Sequence, residues 1–229
     1  MSTTIENNQK KAPRPSKEER IAHILKSARA VFEEQGYEKA KVSDIAARIG
    51  IVEGTVFHHF GSKQDLVNKV IEAFYDEISV ELQQGLQGIQ GTRNQFYFII
   101  WFHYKLLIEN AALCSVILSE SRKSVQSELK DDIRQFYRKY ISFINQVYKD
   151  GVANGDIRDG VSISLIRNTI YGSIENAMWF FLSDGHPINI EQASEDLTNF
   201  VFRGISTQTE ELKNSEVVSL IKKLNKLIE

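Results

Sequence analysis

Residues 42–66 read VSDIAARIGIVEGTVFHHFGSKQDL, and this stretch decides the fold. The pattern predicts a helix over about 42–49, a tight turn at Gly50, a second short helix over about 53–60, and then a new helix. The second helix carries small, polar and aromatic side chains. This layout is typical of a helix-turn-helix, in which the second helix presents side chains to base edges in a major groove. The stretch therefore predicts DNA binding.

Helix-capping residues flank this motif. Ser16 and Glu19 form a capping-box pattern, after which apolar residues recur at helical spacing until Gly36 ends the helix. Ser62 and Asp65 form a similar start to a long helix that we expect to continue through Ile78.

The rest of the chain shows helical periodicity, and no alternation of apolar and polar residues persists long enough for a strand. We expect helices over about 92–109, 110–119, 123–153, 161–183, 190–203 and 208–228. The predicted fold class is all-α, with an N-terminal three-helix head on a larger helical body.

Composition restricts the function. The 229 residues are 42% hydrophobic and 25% charged, which is typical of a soluble globular protein, and no stretch is long and apolar enough to cross a membrane. The single cysteine, Cys114, excludes an internal disulfide and fits the cytoplasm. We find no phosphate-binding loop, metal-ligand spacing or nucleophile elbow, and we therefore expect no catalytic residue, metal or cofactor.

Charge is divided unevenly along the chain. The net charge of −2 separates into +3 for residues 1–63 and −5 for the remainder. This asymmetry favours a DNA-facing N-terminal module on an acidic body. Residues 1–15 are polar and contain two prolines, which predicts a disordered arm.

Several short motifs occur in a fixed order between residues 18 and 71: Gly36-Tyr37, VSDIA, Gly50, EGT, an aromatic pair ending in Phe60, and SK followed by Leu66. In these motifs the chain resembles the TetR family of bacterial repressors. The resemblance implies a DNA-binding head over 16–62 and a ligand-binding and dimerisation domain over 63–229, acting as a homodimer.

The resemblance also implies roles for individual residues of the head. The positions that match family contacts to bases are Glu53, Gly54, Phe57 and His58. Ser43 matches a DNA contact at the start of the first motif helix. The positions that match contacts to phosphates are Thr55, His59 and Lys63.

Two positions depart from the family pattern. Lys41 stands where the family usually has a threonine that caps the helix, so we expect Ser43 to start that helix instead. Phe57 replaces the usual tyrosine of the recognition helix, and it could still contact a thymine methyl group or pack within the head.

The body is rich in aromatic residues where a pocket would lie, either as a plain core or as the lining of a small-molecule site. The candidate ligand-binding residues are Phe98, Trp101, Phe102, His103, Tyr137, Tyr140, Ile144, Tyr171, Glu175 and Met178. The segment from residue 119 to 185 also resembles TetR-type repressors of fatty-acid degradation that respond to long-chain acyl-CoA, through its GxxxGxIxxG run and Gly172–Glu175. A CoA group would need basic side chains, for which Arg122, Lys123, Arg134 and Arg138 are candidates.

The helices over 161–183 and 190–203 match the dimerisation helices of the family. The candidate dimerisation residues are Ile170, Ile174, Phe181, Leu197 and Val201. A two-fold dimer predicts a palindromic DNA operator with half-sites about 10 bp apart or a multiple of this spacing. The terminal helix carries an apolar stripe from Val217 to Ile228 that must be buried somewhere.

The leading hypothesis is a cytoplasmic repressor that a lipophilic small molecule, such as a fatty acid or acyl-CoA, releases from DNA. One alternative is a regulator that senses a lipophilic drug or metabolite. The other is a DNA-binding protein that ignores ligands and acts through protein partners. Catalysis is the least favoured function.

Overall fold

The computed structural model describes residues 15–122, 128–185 and 187–207, and within these ranges the regular elements are helices. They are α1 (Lys17–Lys39), α2 (Val42–Arg48), α3 (Glu53–Phe60), α4 (Lys63–Leu86), α5 (Thr92–Glu109), α6 (Ala111–Arg122), α7 (Glu128–Tyr140), α8 (Ser142–Ala153), α9 (Ile163–Asp184) and α10 (Ile190–Ile205). The all-α prediction is confirmed.

The predicted caps form. Ser16 accepts the N–H of Glu19 at 3.1 Å, and the Glu19 carboxylate accepts the N–H of Ser16 at 2.7 Å, which completes a capping box. Ser62 accepts the N–H of Asp65 at 3.0 Å at the start of α4. Gly36, with φ of +73°, interrupts α1 where the sequence predicted its end.

Two expectations about helix bounds are wrong. α2 begins at Val42, because the Lys41 carbonyl already accepts the N–H of Ile45 at 3.3 Å; Ser43 therefore does not start the helix, and Lys41 provides no side-chain cap. The long helix expected over 123–153 is two helices, since Ile141 has ψ of −5° and interrupts the hydrogen-bond ladder. The predicted arm and the predicted terminal helix lie outside the described residues.

The chain packs into two compact units. Unit 1 contains residues up to Glu81 together with Glu109–Tyr140, and unit 2 contains Leu82–Ile108 with the chain from Ile141 onwards. In unit 1, the buried side chains of α1, α2, α3 and α4 form one core, which includes Phe32, Ile45, Val56 and Leu66. The division into a DNA-binding head over 16–62 and a ligand-binding and dimerisation domain over 63–229 remains a prediction.

The core of unit 2 is built from α5, α8, α9 and α10. Phe96, Ile99, Ile144 and Ile174 are fully or almost fully buried in it. Polar contacts join its helices: Thr92 donates to Asp156 at 2.6 Å, and Arg93 pairs with Glu195. No helix in the described part of the chain combines the length and hydropathy needed to cross a bilayer.

Candidate DNA-binding surface and small-molecule site

The predicted base-contacting residues share one face of α3. Glu53, Gly54, Phe57 and His58 are exposed, and their spacing places them side by side on the helix. The opposite face is apolar, and its residue Val56 is 1% exposed. The structure therefore brings these four residues together on one outward surface.

The packing beneath this surface holds α3 in place. Gly50, in the turn between α2 and α3, has φ of +67°, which favours glycine. Ser27 of α1 donates to the carbonyl oxygen of Ile45 at 2.9 Å, inside the protein, and so links α1 to α2. A buried hydrogen bond and an apolar core thus support the exposed face of α3.

Thr55 and His59 lie at the flank of the exposed face and are half-buried. Burial, with the positive charges of His58, Arg20 and Lys17, lowers the pKa of His59 below its usual value of 6.5. Lys17 and Arg20, in the first turn of α1, are therefore close enough to add positive charge beside α3. The sequence around Lys17 and Arg20 does not indicate this position, because its local pattern predicts only a capped helix start.

Lys63 begins α4 and is bound to the end of α1. Its ammonium donates to the carbonyl oxygen of Glu38 at 3.3 Å and lies 4.5 Å from the ring centroid of Tyr37. Tyr37 also donates to Gln64 at 2.9 Å. Lys63 therefore joins α1 to α4 in addition to its expected role toward phosphate. Ser43, on α2, is exposed.

Most of the candidate ligand-binding residues lie in unit 2. His103 of α5 contacts Tyr171 of α9 edge to face, with ring centroids 4.8 Å apart, and both residues are buried. Phe98 of α5 lies near both Trp101 and Phe102, with ring centroids 5.9 and 6.1 Å apart. These contacts form an aromatic cluster along α5.

The other candidates are placed as follows. Ile144 and Met178 are buried and Glu175 is half-buried in unit 2, whereas Tyr140 is buried and Tyr137 half-buried in unit 1. Of the basic CoA candidates, Arg134 and Arg138 are exposed on α7. The side chains of Arg122 and Lys123 lie outside the described set.

His103 is neutral at ordinary pH. Burial lowers its pKa to about 3, because a charged imidazolium is poorly solvated in an apolar interior. Any role of this side chain toward a ligand is therefore that of a neutral imidazole, which can donate one hydrogen bond and accept another.

The candidate dimerisation residues divide by burial. Ile170, Ile174 and Val201 are buried within the chain, and Phe181 and Leu197 are half-buried. The large apolar side chains that α9 and α10 expose are different ones: Leu165, Trp179, Phe180, Leu182 and Phe200. Phe200 is 73% exposed and Trp179 is 59% exposed.

Comparison with known proteins matches this architecture. Residues 24–70 match the family described as bacterial regulatory proteins, tetR family, and residues 67–204 match the C-terminal region of YsiA-like proteins. The fatty acid metabolism regulator protein of Bacillus subtilis is 22% identical over 189 residues, which cover 82% of this chain and 97% of the relative. The transcriptional repressor KstR2 of Mycobacterium tuberculosis is 24% identical over 196 residues, which cover 82% and 94%.

Solved structures share the fold. The transcriptional regulator FadR from Bacillus subtilis, in complex with stearoyl-CoA, superimposes with a TM-score of 0.72 at 22% identity, covering 80% of this chain and 98% of that chain. The two family matches together span the helix-turn-helix and most of the remaining helices, and the second alone covers more than half of the chain. The chain therefore belongs to the TetR family of transcriptional regulators, with a C-terminal region of the YsiA-like type.

Proposed function

We propose that this regulator is a homodimeric repressor of the bacterial cytoplasm that binds a palindromic operator and is released by a lipophilic small molecule. A long-chain acyl-CoA is the first candidate for that molecule. The observation that carries the proposal is the outward face of α3, where Glu53, Gly54, Phe57 and His58 lie together above a buried apolar face.

This face suits insertion into a major groove. A helix with small or flat side chains at its start can approach base pairs closely, and a phenyl ring can contact a thymine methyl group. Lys17 and Arg20, near His59, add the positive charge that phosphates require. These features support α3 as the recognition helix.

The dimer is supported by the exposed apolar residues of α9 and α10. Several large apolar side chains exposed on two helices are a feature that an interface with a partner would explain. Gly172 and Gly204 lie on these helices, and a Cβ atom added to either would meet no other atom of the chain within 4 Å. Glycine costs a helix about 1 kcal/mol relative to alanine, so the close approach of a partner is a reason for both positions.

The effector is supported by the aromatic cluster of α5 and its contact with α9. Apolar side chains with a few polar groups among them, such as His103 and Tyr171, are the usual composition of a small-molecule site. Relatives named for fatty acid metabolism, and a related structure that contains stearoyl-CoA, make an acyl-CoA the first compound to test.

The test is operator binding with and without stearoyl-CoA. Once an operator has been selected from random DNA, Thr55→Ala and His58→Ala are expected to weaken binding while thermal unfolding stays close to wild type. Glu81→Gln, an exposed change on α4, is the control. Stearoyl-CoA is expected to release DNA from the wild-type dimer at one molecule per subunit.

Each part of the proposal can fail separately. Wild-type affinity in both α3 variants would contradict the recognition surface. Tight operator binding that ignores stearoyl-CoA and other acyl compounds would contradict the acyl effector and favour a drug or metabolite sensor, or a ligand-independent protein.

A further inference from the structure

The guanidinium group of Arg29 of α1 contacts one residue of its own helix and two other parts of unit 1. Its Nε donates to Glu33 of the same helix at 2.9 Å, one Nη donates to Glu77 of α4 at 3.2 Å, and the other donates to Asn110 at 2.5 Å. Asn110 is the residue before α6. The guanidinium carbon also lies 5.3 Å from the ring centroid of Phe74 of α4.

These contacts suit arginine in particular. The planar guanidinium offers several donors in a fixed geometry and stacks on aromatic rings, whereas a lysine ammonium is a compact point charge. The Arg29 side chain is 31% exposed, and its hydrogen bonds to Glu33 and Asn110 are partly buried, whereas the one to Glu77 is exposed. One side chain therefore holds a helix of the DNA-binding head against α4 and the start of α6.

α1 is fastened to the rest of the head by a buried hydrogen bond. The buried hydrogen bond from Ser27 to Ile45 fastens α1 to α2, only two residues from Arg29 in the sequence. A change in the direction of α1 would therefore be carried to α2 and α3. Asn110 can link the position of α6 to that of α1. Its side chain binds Arg29, and its backbone carbonyl accepts the N–H of Cys114 in the first turns of α6.

We propose that Arg29 is a positioning residue for DNA binding, which fixes the orientation of the head relative to α4 and α6 through Glu77, Phe74 and Asn110. The DNA part of this statement rests on the proposed function. The structural part, that Arg29 sets the position of the head, concerns unit 1 alone.

Four variants separate the contacts. Arg29→Met keeps the aliphatic stem and removes every donor, and Arg29→Lys keeps the charge without the planar fork. Asn110→Ala removes the acceptor at the start of α6 and leaves Arg29 in place. Glu33→Gln is the matched control, because it weakens the contact within α1 and leaves the contacts between helices.

The position of the head is measured directly by double electron–electron resonance. Nitroxide labels are attached at Ala47→Cys on α2 and Ala112→Cys on α6, both exposed in unit 1, and labelled chains are diluted with unlabelled chains so that only distances within one protomer contribute. Cys114 is 4% exposed and is expected to stay unlabelled. We expect one narrow distance distribution in the wild type and Glu33→Gln, and a broader or shifted one in Arg29→Met, Arg29→Lys and Asn110→Ala.

Operator affinity gives the second readout. Loss of a charged hydrogen bond that positions the head is expected to weaken binding by about tenfold in Arg29→Met and Asn110→Ala, and Arg29→Lys is not expected to restore it. Glu33→Gln is expected to stay within about twofold of wild type, since the contacts between helices remain. Thermal unfolding identifies the temperature at which all variants are folded.

Unchanged distances in Arg29→Met and Asn110→Ala would overturn the proposal, as would an equal disturbance in Glu33→Gln. If Arg29→Met does not fold, Asn110→Ala decides the question with the native arginine in place. A wild-type chain that binds no palindromic DNA would contradict the proposed function, whereas the distance measurement would still decide on Arg29.

Discussion

His59 is expected to make the charge of the proposed recognition surface depend on pH. Burial and the neighbouring positive charges lower the pKa of His59 below its usual value of 6.5, which disfavours the charged form in the free protein. A DNA phosphate favours the protonated form, so binding takes up a proton and operator affinity rises as the pH falls. We expect severalfold tighter binding at pH 5.5 than at pH 7.5 at constant salt, and a smaller change in His59→Gln. Fluorescence anisotropy with labelled operator measures both.

Two results would contradict the role assigned to His59. One is wild-type affinity that does not change between these pH values. The other is the same pH dependence in His59→Gln as in the wild type, which would assign the proton to another group.

His103 is expected to make the fold sensitive to acid. Its pKa is lowered to about 3 by burial, whereas the unfolded chain restores a value near 6.5. Below pH 6.5 the unfolded state therefore binds a proton that the folded state does not, and the free energy of unfolding falls by up to about 1.4 kcal/mol per pH unit. His103→Phe keeps the ring contact with Tyr171 and removes the titration.

Urea unfolding of both proteins at pH 7 and pH 5 tests this expectation. The wild type is expected to lose more stability than His103→Phe on acidification. Equal losses would mean that His103 does not contribute to the acid sensitivity.

At the residue scale, the pattern predicted that α3 would face DNA, but only the family resemblance assigned contacts to individual residues. Glu53 and His58 carry no local signal that distinguishes a base contact from an ordinary exposed residue. Lys17 and Arg20 were missed because their proximity to His59 arises from tertiary packing across some 40 residues of chain. A local sequence pattern cannot predict contacts between residues so far apart in the chain.

The elements were predictable where the signal was local. The capping box of Ser16 and Glu19 and the turn at Gly50 act within a few residues, and α2 and α3 form within one residue of their predicted bounds. The break at Ile141 was not predictable, since isoleucine is compatible with a continuous helix. Tyr140 packs in unit 1 and Ile144 in unit 2, so the break follows the division of the core.

Close packing of α8 gives a prediction at the same scale. A Cβ atom on Gly151 would lie 2.6 Å from Cγ2 of Thr92 and 2.7 Å from Cδ1 of Ile157, which is closer than packed atoms allow. Gly151→Ala is therefore expected to destabilise the protein by about 1–3 kcal/mol, although alanine is the better helix former. Gly54→Ala is the control, since its Cβ would meet nothing within 4 Å.

Urea unfolding of the two variants measures the difference. We expect Gly54→Ala to leave the free energy of unfolding unchanged or to raise it by up to about 1 kcal/mol. A stabilising effect of Gly151→Ala would show that the neighbouring side chains move aside at little cost.

At the scale of the whole molecule, the apolar residues left exposed on α9 and α10 are proposed to form the dimer interface. Trp179→Ser and Phe200→Ser are expected to shift the protein toward monomer in sedimentation velocity and to weaken operator binding, because one recognition helix binds less tightly than two. Val80→Ser, at an exposed apolar residue of α4, is the matched control and is expected to remain dimeric. A dimer unchanged in all three variants would exclude this face.

The sequence did not indicate which side chains of α9 and α10 are exposed. α9 is apolar around much of its circumference, so its pattern does not distinguish the side that packs within the chain from the side that is exposed. Ile170 and Ile174 face the interior of unit 2, whereas Trp179 and Phe180 are exposed. The packing of α5, α8 and α10 against α9 determines which of its sides is buried.

Selection of DNA from a random library by the purified chain tests whether a dimer reads a two-fold operator with α3. We expect enrichment of a palindrome whose half-sites lie about 10 bp apart or a multiple of this spacing, bound by an even number of chains, and loss of this enrichment in His58→Ala. No enriched sequence, or an asymmetric site bound by a single chain, would exclude a dimer that reads a two-fold operator.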